Sequence, residues 1–221
     1  MNAYTEDLIS TIDKFMSKSN PVDRYSSFDY CYNYFSVAKN FENDLERSCL
    51  TLGFYLSSWG MYRGSSFILQ KSIVHFKPLI QYINSLDRNF WTIDVDNYSE
   101  ENIKTIIEIY NQVKKRLILN NNSDLTLVTK VLLGVFGFVP AYDEYFRKSF
   151  RTIFKNKCGF SVFNQNSLLC IKDFYESNKK IIDEISNNTF TTDFLSENKT
   201  KTRYTKAKII DMYGFTKSLK K

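Results

Sequence analysis

A single lysine, Lys130, interrupts the apolar run from Leu125 to Val139, and an aspartate, Asp143, follows just beyond Pro140. An ammonium held among apolar side chains is desolvated, which favours its neutral form, and such an amine can attack a sugar C1′. A carboxylate placed after a proline at a helix start is favoured by the backbone dipoles there and can face a developing oxocarbenium ion. The same residues have a plain structural reading. Lys130 snorkels out of a buried helix, and Asp143 caps a helix or pairs with Arg147 one turn along.

A second constellation is Trp59-Gly60-Met61-Tyr62-Arg63-Gly64-Ser65-Ser66, set between two apolar segments. Its glycines let backbone approach a ligand, while Arg63 and the amides of a helix starting near Ser65 and Ser66 face an anion such as a phosphate. The rings of Tyr62, Trp59 and Tyr142 can stack on a base. The alternative is turn chemistry alone: Gly60 ends one helix, Ser65 or Ser66 caps the next, and Arg63 pairs with a carboxylate. The run lacks the Gly-Lys-[Ser/Thr] ending of a nucleotide-binding P-loop.

The third feature is charge. Residues 199–221 carry eight basic side chains, Lys206 and Lys208 among them, against one acid, Asp211; that segment is +7 in a chain of net +6, so everything before it sums to −1. Tyr204, Tyr213 and Phe215 are interleaved with the lysines. Cations alternating with rings suit nucleic-acid phosphates and bases. A solvated, frayed terminus explains the same composition, and the small apolar face of Ile209, Ile210 and Met212 leaves membrane-surface binding as a third option.

The run 129–143, with Lys130 followed by Val139-Pro140-Ala141-Tyr142-Asp143, resembles the catalytic region of helix-hairpin-helix DNA glycosylases, especially the 8-oxoguanine glycosylase-like branch. The likeness is local to residues 125–147. It implies Lys130 as a Schiff-base lysine, Asp143 as its catalytic carboxylate, and a damaged or modified base flipped out of DNA beside them. Arg63, Arg147, Lys206 and Lys208 would then hold phosphates. The run 55–66 is also similar to uncharacterised small bacterial proteins, which implies no activity. Two functional expectations follow: a nucleic-acid-binding protein of glycosylase/AP-lyase type with DNA as partner, or a non-enzymatic helical interaction protein of a bacterial defence system or mobile element that binds another protein.

Other chemistry is poorly supplied. Cys31, Cys49, Cys158 and Cys170 have no Cys-x-x-Cys spacing, and the one histidine, His75, sits in the apolar Ile73-Val74-His75-Phe76. No metal site or cofactor is therefore expected, the thiols are expected to be buried, and triad catalysis is disfavoured. No run reaches the roughly 18 apolar residues of a bilayer-spanning helix, and Met1 to Asp7 lacks the basic flank and apolar stretch of a signal peptide. A cytoplasmic protein without a membrane partner is expected.

The elements that position these residues read as helices. Seven glycines and three prolines in 221 residues are too few for the turns of an all-β domain, and a 43% hydrophobic content is ample for a core. The expectation is an all-α, single globular domain of about eight to ten helices over 1–198, with 199–221 as a basic tail holding a short helix, 205–213, stopped by Gly214. Periodicity places helices over Leu8–Met16 behind a Thr5 cap, from Ser26 or Ser27 through Ala38 and Phe41 toward Leu45, over Ser48–Trp59, over Phe67–Leu86 with a kink or a break at Pro78, from Ser99 to an end at Asn120–Asn122, over Asp124–Phe136, from Pro140 through Phe154, and over Ser167–Ser186. Phe90–Val95 reads as a loop or lone strand, and 189–202 as polar turns.

Overall fold

A computed structural model describes residues 3–37, 40–119 and 123–219. Among them the chain forms nine α-helices and one two-stranded antiparallel sheet, so the all-α expectation holds with a small β addition. The helices are α1 (Ala3–Met16), α2 (Ser27–Val37), α3 (Leu45–Ser58), α4 (Lys77–Asn84), α5 (Glu100–Leu117), α6 (Leu125–Phe136), α7 (Glu144–Ile153), α8 (Gln165–Asn188) and α9 (Lys206–Leu219). The strands are β1 (Phe190–Thr192) and β2 (Lys199–Arg203). None of the helices is long and apolar enough to cross a membrane.

Where local signals are strong, they place the elements well. The Ser99 hydroxyl accepts the Asn102 N–H at the start of α5, and Ile103, Ile106, Tyr110, Val113 and Leu117 form its buried face, as a capped 3.6-residue period requires. Every residue of α6 except Thr126 is buried, which matches a helix apolar on all sides.

Several boundaries differ. α2 covers Ser27–Val37 and does not reach Phe41 or Leu45, while α3 begins at Leu45 behind an Asp44 cap, three residues before the expected Ser48; Ala38 lies outside the described residues, as do Asn120–Asn122. The segment after Ser66 is not one helix but two 3₁₀ turns, 67–70 and 73–76, before α4. Of the kink and the break expected at Pro78, the structure has the break: Pro78 sits in the first turn of α4, where its missing N–H costs nothing. Residues 88–92 and 95–97 are 3₁₀ turns rather than a strand. Pro140 precedes α7, whose N-cap is Asp143.

The largest correction concerns the C-terminus. Residues 199–203 form the second strand of a hairpin, and α9 runs from Lys206 to Leu219 with Ala207 through Thr216 all buried. α9 packs on α7, α1 and α8 and is core, not tail. Gly214 does not stop it. A Cβ there would fall 2.5 Å from Phe146 Cδ2, so glycine is what lets α7 and α9 approach. Lys220 and Lys221 lie outside the described residues.

Candidate functional site

Trp59 organises the interior. It is the C-cap of α3, where Gly60 adopts φ +77° and the amides of Gly60 and Met61 donate to Ser57 and Leu56 carbonyls, each at 2.9 Å. This double closure of a helix end needs a left-handed residue, which glycine supplies. The indole then meets Phe15, Tyr25 and Phe215 at 6.4, 5.4 and 5.6 Å between ring centroids.

Two ammonium groups approach the same indole. Lys130 Nζ on α6 is 5.2 Å from a ring centroid of Trp59 and Lys208 Nζ on α9 is 5.1 Å from one. Each has its own carboxylate: Lys130 lies 3.2 Å from Asp143 and Lys208 lies 2.9 Å from Asp211. The lysine side chains are only 4% and 1% exposed. The second oxygen of Asp143 accepts the Phe146 N–H at the start of α7, and that of Asp211 accepts the Ala141 N–H. Both carboxylates are thus engaged on both oxygens, the condition under which buried ion pairs are tolerated.

The sequence readings meet in part here. Lys130 and Asp143 do converge, and Trp59 and Lys208 join them. Asp143 caps α7 as expected, but its ionic partner is Lys130 rather than Arg147. Arg147 reaches Asp143 only through its own backbone N–H to the Asp143 carbonyl, and its Nε is buried without a partner, as is the Trp59 Nε1–H. Tyr142 is fully buried and donates to the Ser167 hydroxyl, so its ring is not offered to a ligand. Burial pushes the Tyr55 phenol beside this cluster well above its ordinary range, with Cys31, Asp211 and Asp143 adding to the effect.

One cleft, of about 300 Å³, is lined by Ser17, Lys18, Asp23, Arg24 and Tyr25. It abuts Trp59 through Arg24, whose guanidinium is 6.0 Å from the indole, but neither Lys130 nor Asp143 lines it.

The Trp59–Ser66 turn is built differently from its anion-binding reading. Gly60 is a C-cap, as the turn-chemistry alternative has it. Ser66 precedes a four-residue 3₁₀ turn and makes no side-chain cap, so the amides of an α-helix start are missing near Ser65 and Ser66. Arg63 is exposed and folds back against Gly60, a Cβ on which would meet Arg63 Nε at 3.0 Å. Tyr62 is half-buried, and burial raises its phenol.

Three of the C-terminal cations are held in ion pairs. Lys206 pairs with Asp96 at 2.9 Å, Lys208 with Asp211, and Lys217 with Asp7 at 2.7 Å. Asp94 caps α9 from 112 and 113 residues away, accepting the Lys206 and Ala207 amides at 2.7 and 3.0 Å. Burial lifts its carboxyl to about 6, against the opposing pull of three backbone amides.

Among the described residues, the C-terminal cations outside these ion pairs are on β2. Lys199, Lys201 and Arg203 are exposed, whereas Thr200 and Thr202 between them are half-buried, the alternation of a strand with one free face. Asp29 on α2 anchors the hairpin from beneath, accepting the Thr192 N–H at 2.8 Å and the Tyr204 hydroxyl at 2.6 Å, and Asn33 Nδ2 donates to the Thr192 carbonyl at 2.9 Å. Burial raises the Asp29 carboxyl despite those donors. At the hairpin tip Phe194 and Leu195 are 69% and 88% exposed, and Phe194 meets Tyr30 edge-on at 5.3 Å.

Reading the sequence missed Asp211, Asp29 and Asp94. Asp211 carried a local signal, its i,i+3 spacing from Lys208; the other two act on partners more than a hundred residues away and carried none. Three of the four thiols are buried and Cys158 is half-buried. Among the described residues no group of three or more His, Cys, Asp or Glu side chains is placed to hold a metal ion. Compared with known protein families, curated proteins and solved structures, the chain matches none.

Proposed function

We propose that this chain is a non-enzymatic helical interaction protein whose interior charges hold its core helices in register and whose working surface is the β1–β2 hairpin. One observation carries this reading: the Lys130 ammonium is almost wholly buried and engaged by Asp143 at 3.2 Å. A Schiff-base lysine has to present an unprotonated amine to a reacting carbon in an open pocket. An ammonium sealed against its counter-ion is instead a structural part, costly to bury and more costly to leave unpaired. The four unpaired thiols fit a reducing compartment such as the cytoplasm.

The glycosylase/lyase reading draws its support from the same 3.2 Å approach of Lys130 to Asp143, and one experiment separates the two. Borohydride is added to the full chain with duplex DNA bearing an abasic site or 8-oxoguanine. No covalent adduct is expected. An adduct lost in Lys130→Met with the fold retained would establish the enzyme reading and end this one.

A further inference from the structure

The +7 excess of the C-terminal segment is not spread over the surface. Lys206, Lys208 and Lys217 are neutralised by Asp96, Asp211 and Asp7. The charge left over among the described residues of that segment is on Lys199, Lys201 and Arg203; Lys199 donates to the Thr192 hydroxyl at 3.0 Å and is also attracted by the Asp29 carboxyl. Exposure alternates along β2, so all three reach solvent, although the pairing with β1 shifts register between Phe190–Arg203 and Thr192–Lys199. They form a short row with a cation at every second residue.

Rings stand at both ends of that row. Arg203 is registered across the sheet with Phe190, and cross-strand partners share a face. At the other end the tip exposes Phe194, steadied by its edge contact with Tyr30. The hairpin is not a loose arm, since the Asp29 and Asn33 hydrogen bonds clamp it to α2.

We infer that this hairpin face binds single-stranded nucleic acid, its phosphates along Lys199, Lys201 and Arg203 and an unstacked base on Phe194. The inference rests on the interaction-protein reading and names the partner of that surface. Charge complementarity selects a polyanion with regularly spaced charges. An exposed ring at the end of a row of cations selects a single strand over a duplex, because only unpaired bases offer a face to the ring. The cations reach phosphates without base contacts, so little sequence preference is expected.

The test is fluorescence anisotropy of a labelled 12-nucleotide oligothymidylate titrated with the full chain between 50 and 200 mM salt. Neutralising three phosphates gives a slope of log affinity against log salt of about −2. The triple variant K199E/K201E/R203E should bind at least tenfold more weakly with a flatter slope. Phe194→Ala should weaken binding about fivefold or more with the slope unchanged, since stacking releases no counterions. These side chains are exposed, and an unchanged melting curve for each variant verifies that the fold persists. Absent binding at 50 mM salt, equal binding by the triple variant, tighter binding to duplex, or binding to phosphatidylserine vesicles but not the oligonucleotide would each overturn the inference. None of these results touches the borohydride experiment, so loss of this partner leaves the non-enzymatic reading standing, and an adduct there leaves oligonucleotide binding to be judged by its own titration.

Discussion

Lys208 and Asp211 stand one turn apart on α9, 2.9 Å from each other, with 1% and 8% of their side chains exposed. Their pairing is what allows a helix with charges in its middle to run through the core. Removing one partner strands the other charge without water, which typically costs about 3–5 kcal/mol, whereas removing both spares the survivor. Lys208→Met is therefore expected to lower unfolding free energy in urea by that amount. The double change K208M/D211N should recover part of the loss, because asparagine can still accept the Ala141 N–H that Asp211 now accepts. A double variant no better than Lys208→Met would show that the pair is not coupled.

The pair on α6 and α7 behaves differently because Asp143 has a second duty. Its other oxygen accepts the Phe146 N–H at 2.9 Å as the N-cap of α7. Asp143→Ala loses cap and counter-ion together, and Asp143→Asn loses only the charge. The alanine variant should be the less stable by about 1 kcal/mol, the usual worth of a cap, measured by chemical denaturation. Equal stabilities would remove the capping role.

Gly134 sits where α6 meets α3. A Cβ there would lie 2.3 Å from Tyr55 Cε1, and Tyr55 is 2% exposed, so its ring has nowhere to swing. Gly134→Ala would ordinarily stabilise a helix interior by about 1 kcal/mol. Here overpacking should dominate and destabilise by about 1–3 kcal/mol. Shrinking the neighbour tests the cause: G134A should cost less in a Tyr55→Leu background than in wild type, and an equal cost in both would mean that Tyr55 is not the obstacle.

What the sequence disclosed follows from the range of each interaction. The caps and stripes of α5 and the uniform burial of α6 are local, and Ser99, Ile103 and Val128 announce them. α9 is the opposite case. Its lysines read as a solvated tail because the acids that neutralise them, Asp96 and Asp7, are 110 and 210 residues away. The hairpin likewise looks like polar turns until Asp29, 163 residues before Thr192, is seen beneath it. Lys130 and Asp143 stood out as an odd lysine and a cap-like aspartate, but nothing local told a sealed ion pair from an open site.

Asp94 gives the fold a pH dependence. It accepts the first amides of α9 and its own neighbour's, those of Lys206, Ala207 and Val95, yet burial outweighs those donors and lifts its carboxyl from 3.8 to about 6. Between those values the folded state holds a proton that the unfolded chain has released, so stability falls as pH rises. The contribution of the protonated group is complete below about 4 and lost as pH passes through about 6. At 1.36 kcal/mol per unit the change is about 3 kcal/mol. Asp29 is raised by burial too and adds a fall of the same sign, so the total slope is not diagnostic and the difference between variants is. Urea unfolding of wild type and Asp94→Asn at pH 4, 5, 6 and 7 should give a stability gap that shifts in favour of the asparagine variant as pH rises, by about 3 kcal/mol over that range. A gap that stays constant would place the Asp94 carboxyl in its ordinary range and leave its role as the cap of α9 purely one of hydrogen bonding.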